Sequence, residues 1–209
     1  MKSEATVLAR MPQTMKSLLL ISLFTSFVFS SQQPDSRPVI VAFGDSMTAG
    51  FGVPAENSYP AQLQKDLDTL GYKYRIVNMG VSGDTTAGGR TRLSRVLGAN
   101  PVIVILELGA NDRANGISPM QTESNLEQMI STLQKTRISV VLAGRTQAGL
   151  ESIYSGLANK YHVTLIPSFL DGVSGNPDLT ISDMTHPNAD GYAIVVKTVL
   201  KFLEPLLSR

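Results

Sequence analysis

Four short polar clusters contain the residues of this sequence that could perform chemistry. They read Gly-Asp-Ser-Met-Thr at 44–48, Gly-Val-Ser-Gly-Asp-Thr at 80–85, Gly-Ala-Asn-Asp at 109–112 and Asp-Met-Thr-His-Pro-Asn at 183–188. Together they supply a candidate nucleophile, candidate donors for an oxyanion and a carboxylate–imidazole pair that could relay a proton. A serine is a weak nucleophile without a base, and a tetrahedral intermediate needs fixed donors. The combination therefore predicts nucleophilic catalysis by Ser46.

Each cluster taken alone also has a purely structural explanation. Ser46 could cap a helix in a common turn, and residues 80–85 could be a loop made flexible by its glycines. Residues 111–112 could cap another loop, and Asn188 could cap the last helix with His186 as a surface bystander. Short motifs of this kind occur by chance. The functional prediction therefore depends on all four clusters occurring together and in order.

Five apolar segments predict the strands that would position these clusters. They are residues 39–43, 74–79, 102–106, 138–143 and 162–166. Helical patterns alternate with them: a helix capped by Ser58, one through 91–97 after an early interruption at Gly88-Gly89, and others opening at Ser118, near 150–160 and after Asn188. This alternation predicts an α/β fold with three layers, in which a five-stranded, mostly parallel sheet carries helices on both faces. Ligands of such sheets bind beyond the carboxyl ends of the strands, where the first three clusters lie.

The composition excludes several classes of function. The chain has 209 residues, a formal net charge of +1 and no cysteine. One globular domain is expected, without electrostatic steering towards nucleic acid or anionic membranes, and disulfides and thiol catalysis are excluded. No cluster of metal ligands, Walker loop or dinucleotide-binding glycine pattern is found, so neither a metal nor a cofactor is expected. Position 48 is Thr, so the Gly-x-Ser-x-Gly elbow of α/β-hydrolases is missing.

Only two histidines are available to a mechanism that needs one. His162 begins a predicted strand and has Asn159, not an acid, three residues before it, so we assign it to the surface or a strand edge. His186 is the remaining candidate. Bracing of loops or burial is expected of the other acids near the clusters, which are Asp84, Asp112 and Glu107.

The N-terminal residues 1–30 have the pattern of a secretory signal peptide. Three basic side chains and one acid in residues 1–16 precede an uncharged stretch at 17–30, which is short for a membrane-spanning helix. An N-terminal anchor helix is one alternative. A misplaced start site is another, because Met11 and Met15 could also begin the chain.

Cleavage after residue 30 would release a polar linker, 31–38, followed by one domain at 39–209. The mature protein is expected in the periplasm or outside the cell, without stable insertion in a membrane.

The sequence resembles the SGNH (GDSL-type) hydrolases, and within them the bacterial thioesterase I/lysophospholipase and arylesterase branch. Residues 44–47 correspond to the family's Gly-Asp-Ser-hydrophobic block, and 78–85 match Asn-x-x-x-Ser-Gly-Asp-Thr. Residues 109–112 match Gly-x-Asn-Asp, and 183–186 match the Asp-x-x-His block. The similarity runs from about residue 39 to the end of the chain and implies a flavodoxin-like SGNH hydrolase fold.

The resemblance also implies a role for each site residue. Ser46 is the nucleophile, His186 is the general base and then the acid for the leaving group, and Asp183 orients the imidazole. The backbone N–H groups of Ser46 and Gly83, with the side chain of Asn111, form the oxyanion hole. Asp183 and His186 are three residues apart, so one loop can fix the pair.

The implied activity is that of a serine esterase that hydrolyses carboxylic esters. A carbohydrate O-acetylesterase or acetyltransferase is an alternative, and a non-catalytic ligand-binding protein of the same fold is a second. The loop at 143–149 is shorter than is usual in the family, which predicts short-chain or aryl esters rather than long-chain thioesters or lysophospholipids. Arg145 in this loop and Ile117 in the loop after Asn111 are expected to contact the substrate.

Overall fold

Five parallel strands form one sheet at the centre of the protein. The computed structural model describes residues 35–145 and 149–208. The strands are β1 (Val39–Gly44), β2 (Arg75–Gly80), β3 (Pro101–Glu107), β4 (Ser139–Ala143) and β5 (Thr164–Ile166). Their order in the sheet is β2-β1-β3-β4-β5, and each pairing is parallel. All five carboxyl ends therefore lie at one edge, with β1 near the middle.

Helices connect the strands and follow the last of them. They are α1 (Ser46–Ala49), α2 (Tyr59–Thr69), α3 (Thr86–Gly98), α4 (Pro119–Lys135), α5 (Glu151–Tyr161) and α6 (Ala189–Leu203), with single 3₁₀ turns at Ala55–Asn57, Arg113–Asn115 and Glu204–Leu206. The predicted start of the last helix is correct, because the Asn188 side chain accepts a hydrogen bond from the Gly191 N–H at 2.9 Å.

Two hydrophobic cores, one on each face of the sheet, confirm the predicted three layers. Alternate residues of a strand point to opposite faces, so Ile40 of β1 joins one core while Val41 joins the other. The first core contains Tyr59 and Leu63 from α2 and Val195 from α6. The second contains side chains from α3, α4 and α5, among them Leu93, Leu126, Met129, Tyr154 and Leu157.

The predicted interruption of α3 at Gly88-Gly89 is wrong. The helix begins at Thr86, and the Thr85 hydroxyl caps it by accepting from the Gly88 N–H at 3.1 Å. A Cβ atom on Gly89 would lie 2.3 Å from Leu108 Cδ1. The glycine is thus a point of close packing rather than a break, which the local sequence pattern does not reveal.

Two further element boundaries differ from prediction. The His162 backbone is left-handed, with φ of 52°, and ends α5, so β5 begins only at Thr164. Ser58 precedes α2 but does not cap it, because its hydroxyl donates to the Ala55 carbonyl at 2.7 Å. A preceding 3₁₀ turn therefore occupies the side chain that was expected to cap the helix.

Residues Arg37–Arg209 form one compact unit. Residues 1–30, where a signal peptide is predicted, lie outside the described part of the chain, as do residues 31–34 of the predicted linker. Within the described part, no helix has the length and apolarity required to span a membrane.

Candidate active site

The turn between β1 and α1 presents Ser46 at the carboxyl edge of the sheet. Asp45 caps α1, since its Oδ1 accepts from the Met47 N–H at 3.0 Å. The short helix is packed so closely that a Cβ atom on Gly80 would lie 2.1 Å from Ala49 N, and one on Gly44 would lie 2.1 Å from Thr48 Oγ1. Glycines at the ends of β1 and β2 therefore allow the nucleophile helix to sit directly on the sheet.

Ser46, His186 and Asp183 form one chain of hydrogen bonds, although Ser46 and His186 are 140 residues apart. Ser46 Oγ lies 2.8 Å from His186 Nε2, and His186 Nδ1 lies 2.6 Å from Asp183 Oδ2. The structure thus brings together the three side chains that the sequence singled out. Ser46 is only 8% exposed, which shields the reacting hydroxyl from bulk water on most sides.

Asp183 holds both the ring and the backbone of His186. Its Oδ1 accepts from the His186 and Thr185 N–H groups, each at 2.9 Å, while its Oδ2 faces the ring. The backbone hydrogen bond from His186, followed by that from Thr185, lowers the pKa of Asp183 to about 2. The carboxylate is therefore charged at any pH at which a histidine is neutral.

The candidate oxyanion donors lie in the loops after β2 and β3. Gly83 is exposed and has a φ of +79°, a left-handed conformation that favours glycine. Asn111 Nδ2 donates to the Asp84 carbonyl at 2.8 Å and to Asp45 Oδ2 at 3.1 Å. The shorter bond fixes Asn111 to the loop that carries Gly83. The longer bond joins Asn111 to the residue that precedes Ser46.

Arg92 of α3 joins the ends of two strands to the Gly83 loop, a role that the sequence analysis missed. Its Nε donates to Asp84 Oδ2 at 2.6 Å, Nη1 to the Met79 carbonyl at 2.5 Å and Nη2 to the Gly44 carbonyl at 2.8 Å. The guanidinium also lies over the Phe43 ring, 4.3 Å from its centroid. The one hint in the sequence was that Asp84 lies just before the start of the helix that carries Arg92.

Asp112 braces the framework behind Asn111, as expected. It is 1% exposed and accepts from the Thr86 N–H at 2.8 Å, the Thr86 hydroxyl at 2.5 Å and the Thr122 hydroxyl at 2.6 Å. These bonds tie the loop after β3 to the N-termini of α3 and α4.

A buried acid supports the nucleophile turn from below. Glu107 is fully buried, and its Oε2 accepts from the Thr48 hydroxyl at 3.0 Å and from the Asp45 N–H at 3.4 Å. Burial, and then the neighbouring Asp45 carboxylate, raises the pKa of Glu107 well above its ordinary value. The expectation of a buried, hydrogen-bonded acid is confirmed.

Arg145, which the sequence predicts to contact the substrate, lies beside Glu107 beneath the turn that carries Ser46. Arg145 is 8% exposed, and its Nη1 lies 4.0 Å from Glu107 Oε1. A buried carboxylate needs a counter-charge, and the guanidinium supplies one beneath the nucleophile turn rather than in an open groove.

A cavity of about 410 Å³ lies beside the loop that carries Asn111. Gly109, Asp112 and Ile117 line it on one side, and Gly149 and Leu150 line it on the other. Ile117, which the sequence predicts to contact the substrate, lines this cavity, and residues 146–148 of the short loop lie outside the described residues. In residues 35–145 and 149–208, no group of three His, Asp or Glu side chains is arranged to hold a metal ion.

Known proteins show the same sequence pattern along most of the chain. The family model described as "GDSL-like Lipase/Acylhydrolase family" matches residues 42–194. "Esterase TesA" of Pseudomonas aeruginosa is 34% identical, over 90% of this chain and 98% of the relative. The "Arylesterase" of Vibrio mimicus is 33% identical, over 88% and 96%. "Thioesterase 1/protease 1/lysophospholipase L1" of Escherichia coli K12 is 32% identical, over 88% and 92%.

A solved structure shares the fold as well. The crystal structure of TesA is 33% identical and has a TM-score of 0.77, covering 81% of this chain and 99% of that one. These relatives are named as enzymes, which disfavours the non-catalytic alternative. The parallel sheet, the serine at the end of its first strand and this similarity lead to one conclusion: the chain belongs to the GDSL-like lipase/acylhydrolase family, the SGNH hydrolases, and is an ester hydrolase.

Proposed function

We propose that the protein hydrolyses carboxylic esters through an acyl-enzyme formed on Ser46. The observation that carries this proposal is the continuous hydrogen-bonded chain from Ser46 Oγ through His186 to Asp183. In the first step, His186 Nε2 takes the Ser46 proton while Oγ forms a bond to the carbonyl carbon. Asp183 stabilises the resulting imidazolium, since its carboxylate is charged and in contact with Nδ1.

The negative charge of the tetrahedral intermediate is proposed to lie between the first three loops. The N–H groups of Ser46 and Gly83 and the amide of Asn111 are the donors that support this placement. The intermediate collapses when the bond to the leaving oxygen breaks and His186 returns the proton to that oxygen. A water molecule, deprotonated by the same imidazole, then releases the acid and regenerates Ser46.

The cavity beside Asn111 supports a proposal for the acyl half of the substrate. It adjoins the loop of an oxyanion donor, and its walls include the polar side chains of Asp112 and Thr122 as well as apolar Ile117 and Leu150. Walls that mix polar and apolar side chains suit a short or compact acyl group better than a long alkyl chain. We therefore favour short-chain and aryl esters, with thioesters and lysophospholipids as poorer substrates.

We also propose that the enzyme acts outside the cytoplasm. Support comes from the uncharged stretch at 17–30 behind a basic N-terminus. In a secreting bacterial host, the mature chain should begin near Ser31 by N-terminal sequencing. Cytosolic protein that still begins at Met1 contradicts this proposal.

The triad is tested by substitutions of Ser46, His186 and Asp183. The other histidine, His162, provides the control. Ser46→Ala and His186→Asn should each lower turnover of p-nitrophenyl acetate by about 10⁴-fold or more, and Asp183→Asn should be severely impaired. His162→Asn is the matched control, because this exposed histidine ends α5 in a left-handed conformation that asparagine tolerates. Unchanged thermal unfolding of the variants excludes misfolding. Retention of most activity by Ser46→Ala would reject the mechanism.

A further inference from the structure

Phe51 is a large apolar side chain that remains exposed beside the proposed base. Its ring centroid lies 4.8 Å from that of His186, with the ring planes at 51°. Even so, 48% of the residue is accessible to solvent. One part of the ring thus contacts the imidazole, and the rest is available to another molecule.

The local backbone holds Phe51 in this position. Gly50 and Gly52 on either side both have a φ of +84°, so the chain reverses at this point and the side chain between them projects outward. A Cβ atom on Gly52 would lie 2.6 Å from Ile181 Cδ1, so the turn is packed against the segment that leads to Asp183. Phe51 is therefore fixed to the elements that carry both ends of the triad.

The chemistry of ester cleavage divides the site into two sides. His186 must give its proton to the leaving oxygen, so the alcohol half of the ester has to lie next to Nε2, at about 3 Å. The acyl half is proposed above to lie towards the cavity bordered by Gly109 and Ile117. Phe51 contacts the imidazole that gives up this proton, so its ring lies beside the place where the alcohol half leaves.

We infer that Phe51 is the residue that selects the alcohol half of the substrate, by stacking against an aromatic leaving group. Met184, which is 42% exposed and lies between Asp183 and His186 in sequence, adds a second apolar surface at the same loop. Contact between aromatic rings adds to simple burial of apolar area, and thioether sulfur also packs favourably on rings. This inference rests on the proposed role of His186, and it adds to the ester hydrolase activity a preference for phenolic over aliphatic alcohols.

The size of the effect follows from the strength of aromatic pairs. Such a pair favours the aromatic ligand by about two- to tenfold over an apolar ligand of equal size. The ratio of kcat/KM for phenyl acetate to that for cyclohexyl acetate measures this preference. Both esters give the same acetyl-enzyme, and kcat/KM depends only on the steps up to loss of the alcohol. Hydrolysis of the acyl-enzyme therefore does not affect the ratio. The intrinsic difference between the two alcohols cancels when variant and wild type are compared.

The experiment follows both esters in a pH-stat for wild type, Phe51→Leu and Phe51→Tyr. Phe51→Leu keeps an apolar side chain but removes the ring, and should lower the ratio by about two- to tenfold. Phe51→Tyr keeps the ring and should retain the wild-type ratio. Leu70→Ala is the control, since Leu70 is an equally exposed apolar residue, at 45%, that follows α2 and lies in no part of the site.

Three results would overturn the inference. If Phe51→Leu slows hydrolysis of both esters by the same factor, Phe51 orients His186 and does not select the alcohol. If it slows neither, Phe51 has no role in the reaction. If Phe51→Tyr lowers the ratio as Phe51→Leu does, the ring is not the determinant. Failure of the proposed mechanism is recognised separately, because Ser46→Ala would then still cleave both esters.

Discussion

The single carboxylate of Asp183 performs two tasks at the residue scale. Its Oδ2 orients the imidazole through Nδ1, and its Oδ1 closes the backbone turn that carries His186. The side chain is 38% exposed, so its effect comes from fixed hydrogen bonds and not from burial. The loop itself thus provides the bonds that hold the carboxylate to the imidazole.

The low pKa of Asp183 leads to a prediction for the pH dependence. A carboxylate whose pKa is lowered to about 2 in the folded protein stays charged as the pH falls, and takes up a proton only near that value. Histidine side chains in general take up a proton between about pH 5 and 8. The acid limb of kcat/KM should therefore have a slope of one, with no second proton taken up above about pH 3. A slope of two, measured with phenyl acetate as substrate, would show that a second group takes up a proton together with the base.

Asn111 provides a second prediction at this scale. Asn111→Ala should lower kcat by about a hundredfold, with a smaller change in KM, because the amide acts mainly on the charged intermediate. Asn159→Ala, an exposed change on α5, serves as the control. A variant with wild-type kcat would remove Asn111 from the oxyanion hole.

The side chains of the triad could be predicted from the sequence, but their supports could not. Ser46, Asp183 and His186 stand in short motifs whose spacing carries the chemistry. Arg92 and Arg145 acquire their roles from partners far along the chain, such as Gly44 for the first and Glu107 for the second. Only the fold brings these pairs together, so neither the pairing of Arg145 with Glu107 nor the role of Arg92 could be predicted from the sequence.

At the scale of elements, α3 holds in place the loops that carry the proposed oxyanion donors. Arg92 reaches from this helix to the carbonyl groups that end β1 and β2, and to Asp84 beside Gly83. Asp84 and Arg92 are only 10% and 15% exposed, so their charges depend on each other for solvation. One helix thus connects the turn of the nucleophile with the loop of the oxyanion donors.

Removing the charge of Arg92 should affect both stability and catalysis. Arg92→Met leaves Asp84 as a largely buried, unpaired carboxylate and should lower the free energy of unfolding by about 3 kcal/mol. The turnover of the remaining folded protein should fall at least tenfold, since a shift of about 1 Å in a reacting group can cost a hundredfold. Arg90→Met, on the exposed face of the same helix, is the control. The measurements are urea unfolding and kcat with phenyl acetate. If Arg92→Met equals Arg90→Met in both, Arg92 does not hold these loops in place.

The strands were the easiest elements to predict, because buried parallel strands are continuous apolar runs. The interior of β3 is such a run and was identified almost to its limits. The glycines of α3 misled the prediction, since glycine weakens a helix when only local preference is considered. Close contact with Leu108 outweighs that preference, and such a contact is known only once the layers are assembled.

For the whole molecule, the acyl cavity lies between two successive crossover connections. Its walls come from the segments that follow β3 and β4, so its size depends on the lengths of both loops. On the proposal that this cavity binds the acyl half, Ile117 in the segment after β3 supplies part of its apolar wall.

This arrangement predicts how the rate depends on acyl length. Each methylene that enters an apolar wall contributes about 0.8 kcal/mol at most, or up to about fourfold in kcat/KM. We expect kcat/KM for p-nitrophenyl esters to rise over the first few carbons and to reach a plateau or fall before eight. Ile117→Ala should shift that maximum to shorter chains, whereas Met120→Ala, at an exposed residue of α4, should not. A value that continues to rise to palmitoyl contradicts a limited pocket.

The distance along the chain between Ser46 and His186 has a consequence for biosynthesis. The proposed nucleophile directly follows the first strand. The proposed base lies in a loop next to the last helix, where Gln62 of α2 donates to the Ala189 carbonyl at 3.0 Å. A nascent chain therefore carries a complete sheet before it carries a base. Esterase activity is therefore expected only after the final stretch has been translated and α6 has docked. If His186 is the base, as proposed, a ribosome-bound or prematurely ended copy that stops before it should have no esterase activity.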